Sequence, residues 1–528
     1  MMRFDLTPAG RLTAARASKR RRSLALIGLI AGLLLPLTAP PVFAENLPEP
    51  QAFLTQALDL ISSHRMVEDI RTLSGPTYSG RQTGTPDDLA SAEFVRQRFL
   101  EMLRQRSAAQ TSPGDATARD PNHTRLQSTA VRRTIIDPGT TLQMAFAPDA
   151  QPDYIGTDYL PVLDSPSADL QAPVVFVGYG ISDQAGGWDE YAGVDVRGKI
   201  VLFLRGKPER YPRHISHADK VHTAHAHGAL GYLTATGPIL NTYEARRGVT
   251  GRPSAFYGLA DARRTIPGAW ISTARAMALL GTDGSTDDDR LRRLQQSLNE
   301  GTTRSTITDS TVTMRWHSAE QDGLLHNVLS ILPGNGTAQA EEAIVIGAHR
   351  DHFGKQGGLL FAGADDNASG TAVLLEVGRV LSTMPAPPTR TIVFVSFSGE
   401  EQGLLGSKFY VSEPVVPLRS TTAMVNIDHA AVGNGRLTIG LTGIEKPVAQ
   451  QAGQQAGLAD RLDLFGFFPG GDHVPFKEAG VPTVTVVSGG THTHFHQPTD
   501  TVDTVNPDIL TAVARFVLSL VWQLAEAP

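Results

Sequence analysis

The chain of 528 residues contains no cysteine. That absence excludes disulfides and thiolate metal sites, so any bound metal must be held by histidines and carboxylates. A basic surplus is missing too: the formal net charge is −6, and the first 44 residues, with seven Lys/Arg against one Asp, leave the remainder at about −12. Nothing in that balance suggests a nucleic-acid partner. The amino-terminal apolar run, Leu24 to about Leu37, falls short of the roughly 20 residues that span a bilayer. It follows Lys19, Arg20, Arg21 and Arg22 and leads into small residues ending at Ala44, which is the order of a secretory signal. The expectation is an exported protein, periplasmic or extracellular, with a signal peptide over 1–44 and no stable membrane insertion after its removal. With 41% hydrophobic and 19% charged residues the chain is globular in composition. Its length exceeds what one core usually supports, so two domains are expected.

Residues 45–152 read as the start of the main domain. They offer a helix within 45–64, a polar loop Ser79–Thr85, and a helix from Pro86 to Arg106 with Leu89, Phe94, Phe99 and Leu103 at helical spacing. The stretch from Arg106 to Thr124, rich in Ser, Thr, Pro and Asp, reads as an exposed loop. Between 153 and 318 the pattern changes to short apolar runs, Ala172 to Val177, Lys199 to Leu204 and Gly228 to Ala235, which predict an inserted β-rich module. Its histidines, His214, His217, His222, His225 and His227, come without a matching set of acids and are read as solvated surface residues.

From 319 to 528 a different alternation begins. Ala343–Gly347, Thr391–Phe397, Thr422–Ile427 and Pro482–Val487 are continuous apolar runs, as a sheet buried on both faces requires. Helical segments separate them, and a last helix is expected after Asn506 and Pro507. The whole predicts an α/β domain: a mixed, mostly parallel sheet flanked by helices.

In such sheets ligands bind beyond the carboxyl ends of the strands. The four runs lead into His349-Arg350-Asp351-His352, Glu400-Glu401, Asp428-His429 and, through Gly489-Gly490, His492 to His496. Gly363-Ala364-Asp365-Asp366-Asn367 supplies a sharply turning acidic loop between the first run and its helix. One carboxylate can bridge two cations. Two histidines, two further carboxylates and a bridge therefore suffice to hold two zinc ions with room for a shared water.

The stretches GAHRDHFG, FAGADDNASG, FSGEEQGLLGS, NIDHA, GGDHVPF and FHQPTDT occur in the order seen in the co-catalytic zinc aminopeptidases, a family that includes bacterial leucyl aminopeptidases and is related to glutamate carboxypeptidases and transferrin receptors. SGRQTGTP resembles that family's early loop, and GYGI with RGKIVLFLRGKPER resembles its inserted protease-associated domain. The resemblance implies the zinc exopeptidase fold, a peptide or small-protein substrate and two Zn2+ per chain. It implies His349 and Asp428 on one ion, Glu401 and His496 on the other, and Asp366 as the bridge. It further implies that Asp351 orients His349 and that Glu400 is the general base. Glutaminyl-cyclase-like acyl transfer, carboxypeptidase activity and a non-catalytic receptor role are the alternatives within the same resemblance. Two positions depart from it: Arg350 stands where an aromatic is commoner and His429 where an apolar residue is, and both are expected to change pocket polarity. Asp472 and His473 are expected to line the substrate pocket, and His352, His492 and His494 to lie near the cleft without ligating.

Overall fold

The computed structural model describes residues 50–527, apart from 110–122, 140, 146–152, 241–243, 246–248, 259–265, 282–288 and 303–304. The expected leader lies outside the described residues, as does most of the loop expected from Arg106 to Thr124; the first part of that stretch instead prolongs the helix Pro86–Ala109.

The apolar runs become strands for the reason their composition gives. In Ala343–His349 every residue is buried. Ile344, Ile346 and Ala348 face one hydrophobic cluster, while Ala343 and Val345 face another on the opposite side. That period of two, apolar on both sides, needs cover above and below the sheet. The larger cover includes the helices Gly370–Ser382 and Pro507–Glu526, whose Val373, Leu374, Val377, Val513, Phe516 and Leu520 join the first cluster. Tyr410 of Leu405–Ser412 and Phe476 of His473–Glu478 belong to the second. The helix Pro507–Glu526 begins as its sequence predicts: the Asn506 side chain accepts from the Asp508 and Ile509 amides, and Pro507 occupies the first turn.

The eight-stranded sheet runs Thr124–Ile136, Ser318–Leu332, Thr391–Phe397, Ala343–His349, Thr421–Asp428, Thr483–Ser488, Leu437–Thr442, Leu462–Phe465. The four central strands, from Thr391–Phe397 to Thr483–Ser488, are mutually parallel. Their carboxyl ends therefore share one edge, and the residues that follow them are brought together. Antiparallel strands flank this centre: Thr124–Ile136 pairs with Ser318–Leu332 on one side, and Leu437–Thr442 with Thr483–Ser488 on the other.

A seven-stranded sheet forms from Thr141–Ala145, Thr306–Trp316, Ala168–Phe176, Ile200–Leu204, Gly231–Ala235, Gly268–Ile271 and Tyr159–Pro161. Its own clusters bury Val174, Phe176, Leu202, Leu233 and Ile271 on one side and Val175, Val201, Phe203 and Tyr232 on the other. Its histidines are not uniformly solvated. His214, His222 and His225 are exposed, but His217 packs among Phe203, Tyr232 and Phe256 and His227 stacks on Tyr191. Apolar neighbours use the imidazoles as flat aromatic fillers.

Candidate metal centre

The carboxyl edge of the large sheet gathers the expected residues around Asp366. This aspartate follows Gly363, whose φ of 61° starts a tight turn and whose missing side chain leaves room for the Asp366 carbonyl and the His352 ring. One oxygen of Asp366, Oδ1, lies 3.4 Å from His349 Nε2, which is also 3.4 Å from Asp428 Oδ1. The other, Oδ2, lies 3.0 Å from His496 Nε2, which is 3.3 Å from Glu401 Oε2. The five residues thus divide into two sets joined through a single carboxylate.

Their chemistry fits a metal. Donors placed about 2.0–2.1 Å from a tetrahedral zinc are themselves roughly 3.3 Å apart, the spacing seen here. Asp366 Oδ2 and Asp428 Oδ1 are buried and have no hydrogen-bond partner, an expensive arrangement unless a cation completes it. A neighbouring cluster, Asp365 with His429 and His492, differs. His492 Nδ1 sits 2.6 Å from Asp365 Oδ2 while its Nε2 lies 3.0 Å from the Ser488 carbonyl. The 2.6 Å separation is that of a direct hydrogen bond, and the cluster acts as a brace for Asp365.

Electrostatics follow from the crowding. Burial alone would push His349 down, yet Asp351, Asp428 and Glu400 hold it well above the usual imidazole value. Burial likewise pushes His496 down, and Glu401 and Asp366 overcome it, raising the ring to about 9. Glu401 is lowered to about 2: burial and Asp366 push it up, and His496 and His352 more than offset them. Glu400 is shifted the other way, well above the ordinary carboxyl value, by desolvation and by Glu401, Asp472 and Asp428. A bound cation opposes that rise.

Each histidine of the two sets has its tautomer fixed by a carbonyl. His349 Nδ1 lies 3.2 Å from the Asp351 carbonyl and 3.6 Å from its carboxylate; His496 Nδ1 lies 2.9 Å from the Ala255 carbonyl. A carbonyl only accepts, so Nδ1 carries the proton in both rings and Nε2 faces the carboxylates. The Asp351 carboxylate also accepts from Thr83 Oγ1 and from the Glu400 amide, at 3.0 and 3.3 Å.

Two supporting residues, Asp500 and Arg81, carried no assigned role in the sequence, and a third, His352, was expected only near the cleft. Asp500, within FHQPTDT, accepts the amides of Asp365 and Asp366 through its two oxygens at 2.9 and 3.0 Å, and burial with the nearby Asp365 raises it to about 8. Arg81, within SGRQTGTP, is fully buried and donates to the carbonyls of Leu73, Arg350, Ala362 and Gly363, tying the His349 loop to the Asp366 loop. His352 Nδ1 bonds Glu401 Oε1 at 2.7 Å. The motifs marked Arg81 and Asp500 only as members of a string, because what they bind is backbone.

Of the two departures, Arg350 does not act on the pocket. Its guanidinium is wholly buried and turns away to Asp88, Ser91 and the carbonyls of Ser396 and Phe397. The expectation of altered pocket polarity is corrected there: Asp88 supplies a buried counter-charge that no aromatic residue would need. His429 does face the centre. Its φ is 47°, and its Nε2 lies 3.6 Å from Asp366 Oδ2 and 3.8 Å from Asp428 Oδ1. Beside it is a cavity of about 10 Å3 lined in part by Asp365, Asp366, His492, Phe495 and Asp500, space for one water. His494 points elsewhere, to Thr499. Asp472 is fully buried, with both carboxylate oxygens lacking a hydrogen-bond partner, and the adjoining His473 bonds the Phe468 carbonyl.

The chain is an α/β protein whose mixed, centrally parallel sheet carries, at its carboxyl edge, acid–histidine groups that could hold metal. Residues 327–521 match the model of Peptidase family M28, and residues 170–279 match that of the PA domain. Aminopeptidase YwaD of Bacillus subtilis (strain 168) is 29% identical over 175 residues, 31% of this chain and 38% of that protein. A probable leucine aminopeptidase of Arthroderma otae is 30% identical over 221 residues, 38% of this chain and 58% of that one. These alignments span less than two thirds of either relative. Among solved structures, an aminopeptidase from Aneurinibacillus sp. strain AM-1 superimposes with a TM-score of 0.62 at 23% identity, covering 90% of this chain and 96% of that one. A zinc aminopeptidase from Bacillus subtilis gives 0.60 at 20% identity, covering 88% and 96%. Both share the fold.

Proposed function

We propose that this protein is a two-zinc aminopeptidase that removes residues from the amino termini of peptides. The reading rests on Asp366, which offers one oxygen to His349 and Asp428 and the other to His496 and Glu401. The M28 domain and relatives named as aminopeptidases support the same reaction. His349 and Asp428 would hold one ion, Glu401 and His496 the other, with Asp366 between them.

Zinc bound there supplies Lewis acidity and brings the pKa of a coordinated water to about 7. The chain supplies the proton chemistry. Glu400 is partly exposed, and its amide donates to Asp351, whose carboxylate lies 3.6 Å from His349 Nδ1. Its raised affinity for protons suits a group that takes one from the attacking water and gives it to the departing amine. Asp351 acts indirectly, by fixing the His349 ring and the Glu400 backbone together.

Elemental analysis combined with a cleavage profile on peptides blocked or free at each end tests the proposal. Two zinc ions per chain and cleavage only behind a free amino terminus are expected. One zinc per chain with cyclisation of amino-terminal glutamine would replace it with the acyl-transfer reading, and cleavage from the carboxyl end would replace it with a carboxypeptidase.

A further inference from the structure

The segment 253–257 lies within the PA domain match, yet Pro253, Ser254 and Ala255 all bond the loop that carries His496. The Ala255 amide donates to the His496 carbonyl at 3.0 Å, and the Ala255 carbonyl receives His496 Nδ1–H at 2.9 Å. One residue of the inserted domain thus grips both the backbone and the ring of one histidine. Gln497 fastens the same strap from the other side, donating to the Pro253 carbonyl at 2.8 Å and bonding Ser254 Oγ at 2.7 Å. Tyr257 follows, its hydroxyl 3.0 Å from Gln82 Nε2. His496 itself has a φ of 55°, a conformation a residue with a side chain holds only where its surroundings enforce it.

We infer that the PA insertion is a working part of the metal centre: its strap at 253–257 keeps the His496 ring oriented to ligate, and so sets the affinity of the ion held by Glu401 and His496. The inference rests on the two-zinc reading above. Ser254 and Gln497 are positioning residues in this scheme. His349 receives the equivalent support from its own loop, through Asp351, so the other ion is independent of the strap. The insertion then couples to catalysis through metal occupancy, whether or not it also covers the cleft.

The test is stepwise zinc removal by a competing chelator from full-length wild type, Gln497→Leu and Ser254→Ala, with cobalt-substituted absorption spectra and metal-free melting temperatures in parallel. Wild type should hold two ions. Gln497→Leu should keep one with unchanged affinity and bind the second about 10–100-fold more weakly, the usual cost of losing support behind a ligand, and its cobalt spectrum at limiting metal should report a single site. Ser254→Ala, losing one bond, should show the same asymmetry to a lesser degree. Wild-type affinity for both ions in both variants would overturn the inference. So would equal weakening of both ions together with a lowered metal-free melting temperature, since the strap would then serve general stability. A wild type that takes one ion removes the two-zinc reading and the inference with it.

Discussion

The two acid–histidine sets are alike in composition and differ in their supports. His349 is 1% exposed, ends a central strand, and takes its tautomer from a carbonyl two residues along its own chain. His496 is 15% exposed at its side chain, sits in a loop, and takes its tautomer from a carbonyl 241 residues away. Their acids differ in the same sense. Asp428 closes a strand, whereas Glu401 lies in a turn and is steadied by His352. A ligand fixed by sheet geometry moves only if the core moves. A ligand fixed by a distant loop can loosen alone, so the Glu401/His496 half should be the first to respond to change.

The comparison fails entirely if the halves are not joined by Asp366. Asp366→Ala removes the one oxygen pair common to both and should abolish tight binding of both ions, with turnover falling to background; elemental analysis after dialysis reads this directly. Retention of even one tightly bound ion would show that the halves are separate sites. Glu400→Gln is the next largest effect and should spare both: turnover falls by roughly 10²–10⁴ as a positioned proton carrier is lost, with two ions still bound. Metal loss in that variant would make Glu400 a ligand instead. His352→Phe should be smaller and one-sided. It deletes the bond to Glu401 Oε1 and should weaken one ion about 10–100-fold while the His349 ion keeps its affinity in the same chelator titration.

Much of this was legible in the sequence because its signals were local. Thr391–Phe397 is a strand with the expected limits, since a continuous apolar run can be satisfied only inside a two-faced sheet. The gathering of His349, Glu401 and Asp428 follows from parallel strands, whose ends cannot avoid sharing an edge. The less legible parts are made of polar or long-range contacts. Thr124–Ile136 carries Arg125, Arg132 and Arg133, so its pattern lacks an apolar run, yet it pairs over its whole length with Ser318–Leu332. Arg350 was misread because a sequence gives no direction to a side chain: His349 points into the centre, and the next residue along an extended chain points the other way, here toward Asp88. The hold on His496 by Ala255 leaves no sequence signal at all, since any residue other than proline supplies the same amide and carbonyl.

The smallest predicted effect separates the halves by their protons. At pH 7 the metal-free protein keeps both rings charged, because His349 is held well above its usual value and His496 near 9. Ligation requires neutral imidazoles, so zinc uptake must release these protons. His429, raised to about 10 by Asp366 and Asp428 against the pull of burial, should lose its own as cations arrive beside it, and His429→Met removes that contribution. In that variant calorimetry at pH 7 should show a binding enthalpy that depends on the buffer, with the protons of the two rings released together with any that Glu400 gives up as the cations oppose its rise. Above pH 9 the His496 contribution to the count should fall. Stability has the same sign. A histidine raised from 6.5 to about 9 stabilises the metal-free fold fully below pH 6.5, and that contribution is lost as pH rises through 9. The gap between loaded and metal-free melting temperatures should therefore widen over this interval. Glu401, lowered to about 2, is ionised throughout and adds nothing to the slope. A buffer-independent enthalpy would mean that the two rings are already neutral and that carboxylate crowding does not set the charge of either half.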